Sequence, residues 1–299
     1  MPSSRGWLVI SRRGLLGNAA ALLAALASER ARADAPSGTA QLRVPAALYV
    51  SHGAPLFMPG QDARRAELAR WGAQLKKPRG IVVMTPHFAA RSLSLGALGE
   101  GFAWYDLPGG LKRQLPQNLD YRSPANQGLA GQVRALLGAA LPVDPERRGF
   151  DHTTWMPLLC LRPAADVPVL ELCYPYVREH ELLALGQKLA PLAAEGVLLV
   201  ASGGLTHNLG LDFSATETPA FATEFEAWAA EQLLVRNVDA LCDWRHQAPA
   251  ANLAHPDDGA HFRVVLAALG VALGAGRALV TSPVQGFEGA LSKRCFELG

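Results

Sequence analysis

The chain is poor in cysteine, with four residues, Cys160, Cys173, Cys242 and Cys295, and no Cys-x-x-Cys pair among them. That wide spacing argues against a disulfide framework or a zinc knuckle and leaves buried thiols as the reading. Charge is also scarce, at 18% of residues with a formal net of +2. Even this excess sits at one end. Arg5, Arg12, Arg13, Arg30 and Arg32 against Glu29 give +4 before residue 34, which leaves −2 for the remainder. The body therefore lacks the basic face that nucleic-acid binding requires. After residue 34 there is no internal repeat, low-complexity tract or linker. What is present is a 49% hydrophobic chain of 299 residues, enough for one large α/β domain with a sizeable core.

The segment "SRRGLLGNAAALLAALASERARADAP" reads as an address. Arg12 and Arg13 precede an apolar stretch, Leu15 to Ala27, that is too short to span a bilayer. Ala31-Arg32-Ala33 places small residues where a signal peptidase cuts. The paired arginines resemble a twin-arginine signal, which exports proteins already folded and suits a protein that acquires a metal first, with an ordinary secretory signal or an uncleaved anchor as the alternative. The expected organisation is a signal over residues 1–33 and one domain over 34–299. The expected location is the periplasm, with no membrane attachment after cleavage.

Five apolar runs read as strands buried on both faces: residues 46–50, 80–84, 167–174, 197–201 and 278–284. Helical patterns lie between them. Ser123-Pro124 and Thr218-Pro219 each read as an N-cap followed by proline at the first helical position. A third helix is expected from Glu179 to about Ala194, ending before Gly196. This alternation predicts a single α/β domain with a mostly parallel central sheet flanked by helices, and a site at the C-terminal edge of its strands.

The eight histidines bear on that site. "LYVSHGAP" sets His52 just beyond the first strand, "GIVVMTPHF" sets His87 beyond the second, and "LLVASGGLTHNLG" sets His207 beyond a later one. Each lies beside Gly or Pro, which lets the backbone turn sharply. One such histidine is ordinary as a turn residue. Three delivered to one edge suggest a metal, because neutral imidazole is a favoured ligand of both zinc and non-haem iron. "GFDHTTWMPL" adds His152 beside Asp151 and Trp155. "HPDDGAHFRVV" adds His255 and His261, of which His261, next to Phe262, reads as the better buried. His180 and His246 read as solvated.

In order along the chain, these elements resemble the class III extradiol ring-cleavage dioxygenases, in the DOPA-dioxygenase branch of the LigB superfamily. The resemblance runs from "SHGAP" to "GALSKRCFELG". It implies His52, His87 and His261 as metal ligands, and His207 as a further metal-site histidine or the catalytic acid/base. It implies His152 as a catalytic residue that helps position substrate or dioxygen, and makes His255 the start of a His-Pro turn. The chain departs from the family pattern at Thr153, where glycine is usual. It departs again after His87, where "WYDLPGGLKRQLPQNLDYRSPANQG" keeps Tyr105-Asp106 without the usual Gly-Phe-Pro.

The expected partners are a small catechol and dioxygen, with Fe(II) as the cofactor and Zn(II) as the alternative. A homodimer is compatible with the resemblance. A histidine suits both proton steps of ring opening because its ordinary pKa of roughly 6.5 lies near working pH. His207 is expected to take that role, with His152 in support and Asp151 orienting the neighbouring ring. Trp104, Tyr105 and Trp155 are the candidate stacking residues. Two other readings fit the same histidines: a zinc-dependent hydrolase using metal-bound water, and a metal-binding relative without turnover.

Overall fold

The computed structural model describes residues 44–299 apart from Met58, Gln117, Arg148 and residues 211–216. The export signal expected over 1–33, and the boundary at 34, lie outside the described residues. Among the described residues ten strands follow in chain order: β1 (Ala47–Ser51), β2 (Gly80–Met84), β3 (Ala89–Ala90), β4 (Val169–Glu171), β5 (Tyr174–Pro175), β6 (Val197–Gly203), β7 (Val280–Val284), β8 (Phe287–Glu288), β9 (Leu291–Ser292) and β10 (Cys295–Leu298). Six of them make the central sheet, in the order β4-β2-β6-β1-β10-β7. The first four run parallel. At the other end, β10 pairs antiparallel with β1, and β7 antiparallel with β10.

The pleat sorts each strand's side chains between two helical layers. Tyr49, Val82, Met84, Leu199 and Ala201 face one core, shared with helices Gln127–Leu137, Glu179–Leu189, Ala220–Val235 and Val265–Gly274. Leu48, Val50, Ile81, Val83, Leu198 and Val200 face the other, against Leu68 and Trp71 of helix Asp62–Gln74 and Trp155, Met156 and Leu158 of helix His152–Leu161. Parallel strands covered on both faces need the continuous apolar runs seen here.

Several expected elements differ in detail. The run 278–284 is not buried on both faces. Its strand part, β7, is an edge strand whose burial alternates and which carries Pro283, a residue tolerated where one side of a strand has no partner. The run 167–174 divides into β4 and β5, because Cys173 turns its N–H to the Ser94 carbonyl (3.0 Å).

Ser123 caps no helix. It pairs with Gly101 as an isolated bridge, and the helix opens at Gln127. Pro219 stands just before helix Ala220–Val235 rather than as its first residue, so Thr218 is not the cap. The helix expected over 179–194 breaks at Ala190 into Glu179–Leu189 and Pro191–Ala194, since Pro191 has no N–H to continue the ladder. All four cysteines are free, with Cys242 only half-buried.

Candidate metal centre

Strands β2, β6 and β1 are adjacent and parallel, so the loops that carry His87, His207 and His52 leave the same edge of the sheet. His52 follows β1 directly, and its backbone N–H donates to the Gly203 carbonyl (2.9 Å). The chain then turns at Gly53, whose φ of +57° favours glycine. His261 arrives from the short helix Ala260–Arg263. Its carbonyl accepts from the Gly204 N–H (2.9 Å) and the Tyr49 hydroxyl (3.0 Å). Gly203 permits this approach, since a Cβ there would stand 2.1 Å from that carbonyl oxygen.

His52, His87 and His261 thereby close on one point, each offering a ring nitrogen within 4.8 Å of the other two. The Nε2 atoms of His87 and His261 are 3.3 Å apart. Two nitrogens on one tetrahedral ion, at the usual metal–nitrogen distance of about 2.0–2.1 Å, stand roughly 3.3–3.4 Å apart. The three rings cross steeply, at 75–85° with centroids 5.2–5.3 Å apart, as imidazoles converging on one centre do. His52 and His261 are buried, and His87 stands on the open side.

Electrostatics favour the ligating form. Burial, then the neighbouring rings of His261 and His87, hold His52 well below the usual histidine pKa. Burial, then His207 and His87, lower His261 to about 2. The protein packed around His87 lowers it to about 4. Only an unprotonated imidazole has a lone pair for a metal, and these three are held in that form.

The fourth expected ligand, His207, lies one ring farther out. Its imidazole stacks on His261 with centroids 3.5 Å apart and planes 9° from parallel. Its Nδ1 meets Asp257 Oδ2 at 3.3 Å, so it groups with Asp257 and His261 rather than with His52 and His87. That hydrogen bond holds the Asp257 carboxyl well below its ordinary range.

His152 opens helix His152–Leu161 and stands against His87 with ring centroids 5.0 Å apart. Asp106 clamps it twice: Oδ2 meets Nδ1 at 2.8 Å, and Oδ1 accepts the His152 backbone N–H at 2.9 Å. A carboxylate on Nδ1 fixes the proton there and leaves the Nε2 lone pair free.

Asp151, expected to orient the neighbouring ring, does not. It caps the helix by accepting from the N–H groups of Thr153 and Thr154, and it pairs with buried Arg147. Arg147 also bonds Glu171 (2.7 Å), so the guanidinium neutralises two buried carboxylates. Asp106 was visible only as part of Tyr105-Asp106, 46 residues from its partner. Nothing local in the sequence marks Asp257 or Ser202 either, although Ser202 Oγ lies 3.1 Å from His52 Nδ1.

Of the aromatic candidates, Trp155 is wholly buried and stacks on Phe57, so it belongs to the core. Trp104 is exposed, and the Tyr105 hydroxyl donates to the Leu119 carbonyl (2.8 Å). His255, not His261, is the more deeply buried of the late pair. It donates from Nε2 to the Leu205 carbonyl (2.7 Å) inside a box of Phe225, Trp244 and Phe262. The apolar stretch after His261 faces the core through Phe262, and that neighbour misleads about His261 itself. His180 and His246 are exposed, as expected.

The chain is similar to known proteins over most of its length. Residues 46–290 match the family described as the catalytic LigB subunit of aromatic ring-opening dioxygenase. A 4,5-DOPA dioxygenase extradiol of Escherichia coli (strain K12) is 30% identical over 273 residues, covering 86% of this chain and 95% of that protein. A protein of the same description from Beta vulgaris is 31% identical over 236 residues, covering 75% of this chain and 85% of its own length. The crystal structure of an uncharacterized Escherichia coli K12 protein superposes with a TM-score of 0.70 at 28% identity, covering 86% of this chain and all of the other.

Proposed function

Since this chain belongs to the LigB family of aromatic ring-opening dioxygenases and is an extradiol ring-cleavage enzyme, we propose that its substrate is a small catechol. The reaction uses dioxygen at a centre held by His52, His87 and His261. The supporting observation is the convergence of these three neutral imidazoles at the mouth of adjacent parallel strands, with two Nε2 atoms 3.3 Å apart. Three nitrogens on one side leave the remaining positions of a bound ion open, which the chemistry requires. Bound there, Fe(II) would supply coordination sites for the catechol oxygens and dioxygen, and a path for electron density that Zn(II), which suits the same nitrogens, lacks.

The chain's own residues handle the protons. His207, with Nδ1 directed to Asp257, presents Nε2 as the base that takes a catechol hydroxyl proton and later returns one. Asp257 stabilises the ring while it carries that proton. His152, clamped by Asp106, is a second such group beside His87. Trp104, exposed two residues before Asp106, is the aromatic we assign to the rim that receives the substrate ring.

Residues 1–33 deliver the folded, metal-loaded domain to the periplasm in this reading. The test is dioxygen uptake by protein loaded anaerobically with Fe(II), across a panel of catechols, with the Zn(II) form as control. Uptake by the iron form alone is the expected result. Zinc-supported turnover indifferent to oxygen would replace this reading with a hydrolase.

A further inference from the structure

Helix His152–Leu161 contains a proline, Pro157, in its interior. A proline there has no N–H for the carbonyl four residues back, which in this helix is that of Thr153. Thr153 is wholly buried, so water cannot replace the missing donor. The replacement is Ser202, at the end of β6 and equally buried, whose hydroxyl donates to the Thr153 carbonyl at 2.6 Å.

The single proton of Ser202 sets the direction of its other hydrogen bond. A serine hydroxyl has one proton and two lone pairs. Its proton is committed to a carbonyl, which can only accept. Ser202 Oγ also lies 3.1 Å from His52 Nδ1. Toward His52, therefore, the oxygen acts as acceptor, and the imidazole must be the donor. His52 then carries its hydrogen on Nδ1 and its lone pair on Nε2.

We infer that Ser202 is a positioning residue that sets the tautomer of His52, and that Pro157 enables this by releasing the Thr153 carbonyl. The helix that presents His152 thus also prepares His52 across the sheet edge. The inference deepens the proposed function, since it rests on His52 being a ligand of the centre, but its first readout needs no metal.

Nitrogen-15 NMR of the histidine side chains in metal-free protein should show His52 as the Nδ1–H tautomer in the wild type. In Ser202→Ala that preference should collapse, and the dissociation constant for Zn(II), measured by chelator competition, should rise roughly 10–100-fold, the usual effect of losing such a partner. Ser202→Thr keeps the hydroxyl and should restore both readouts. Pro157→Ala gives the Thr153 carbonyl a competing N–H, freeing the Ser202 proton, and should produce a mixture of tautomers.

Ser51→Ala removes an equally buried hydroxyl, one that donates to the Arg294 carbonyl (2.7 Å), and should leave both readouts unchanged. Wild-type tautomer and affinity in Ser202→Ala would overturn the inference while leaving the dioxygenase reading intact. A wild type with the Nδ1–H tautomer but no affinity for any divalent metal would support the proton count and overturn the metal centre instead.

Discussion

Replacing His52 or His87 with alanine removes one of three converging nitrogens, and stoichiometric metal, measured by elemental analysis after dialysis, should be lost. His152→Ala leaves the triad complete and should retain metal while kcat falls roughly 10²–10⁴-fold, the range expected for a lost acid/base group. Asp106→Ala should reproduce part of that fall, because the imidazole loses the clamp that fixes its proton.

His255 differs from these residues. Burial holds it neutral, with its pKa lowered to about 4, and its donation to Leu205 raises the value only in part. The unfolded chain takes up this proton near pH 6.5, so the stability His255 contributes is present above that pH and lost as pH falls toward 4. The loss at the acid end is on the order of 3 kcal/mol. Urea midpoints of metal-free protein should fall between pH 7.5 and 4.5, and less steeply in His255→Phe.

The first turn of helix His152–Leu161 concentrates more of the site than any strand. It presents His152, hangs on Asp151, and meets Thr85 through the Thr153 hydroxyl (2.8 Å), two residues before His87. Thr153 therefore ties the His87 turn to the Asp151–Arg147–Glu171 network. Arg147→Met would strand two buried carboxylates. A destabilisation of about 3–5 kcal/mol is expected from equilibrium unfolding, with fraying of this helix.

At this level the sequence was informative where the physics is local. Apolar runs located β1, β2 and β6, and turns marked by Gly or Pro located the histidines beyond them. It was uninformative where partners meet across long separations. Asp106 and Asp257 find their histidines over 46 and 50 residues. Asp151, the adjacent carboxylate, is spent on capping N–H groups that every helix start leaves open.

Across the molecule, the parallel half of the sheet was legible because strands covered on both faces must be apolar throughout. The antiparallel edge was legible only in part: the run 278–284 located β7 but not its one-sided burial, and β10 comes from a tail with no strong run of its own. That tail still reaches the site: the Thr206 hydroxyl donates to the Ala290 carbonyl and accepts from the Ser292 N–H, both at 2.7 Å, beside His207. The N-terminal address is tested separately. A reporter fused to residues 1–33 should reach the periplasm folded, and Arg12→Lys with Arg13→Lys should retain it in the cytoplasm.

The central claim, ring opening of a catechol with both atoms of dioxygen, is tested most directly by the mass of the product. Fe(II)-loaded protein and a catechol under isotopically heavy dioxygen should yield a ring-opened acid carrying two heavy oxygen atoms when its new carbonyl is reduced as it forms, before that oxygen exchanges with water, and His207→Ala should yield little of it. A trapped product that takes its new oxygens from water and none from dioxygen would contradict the account.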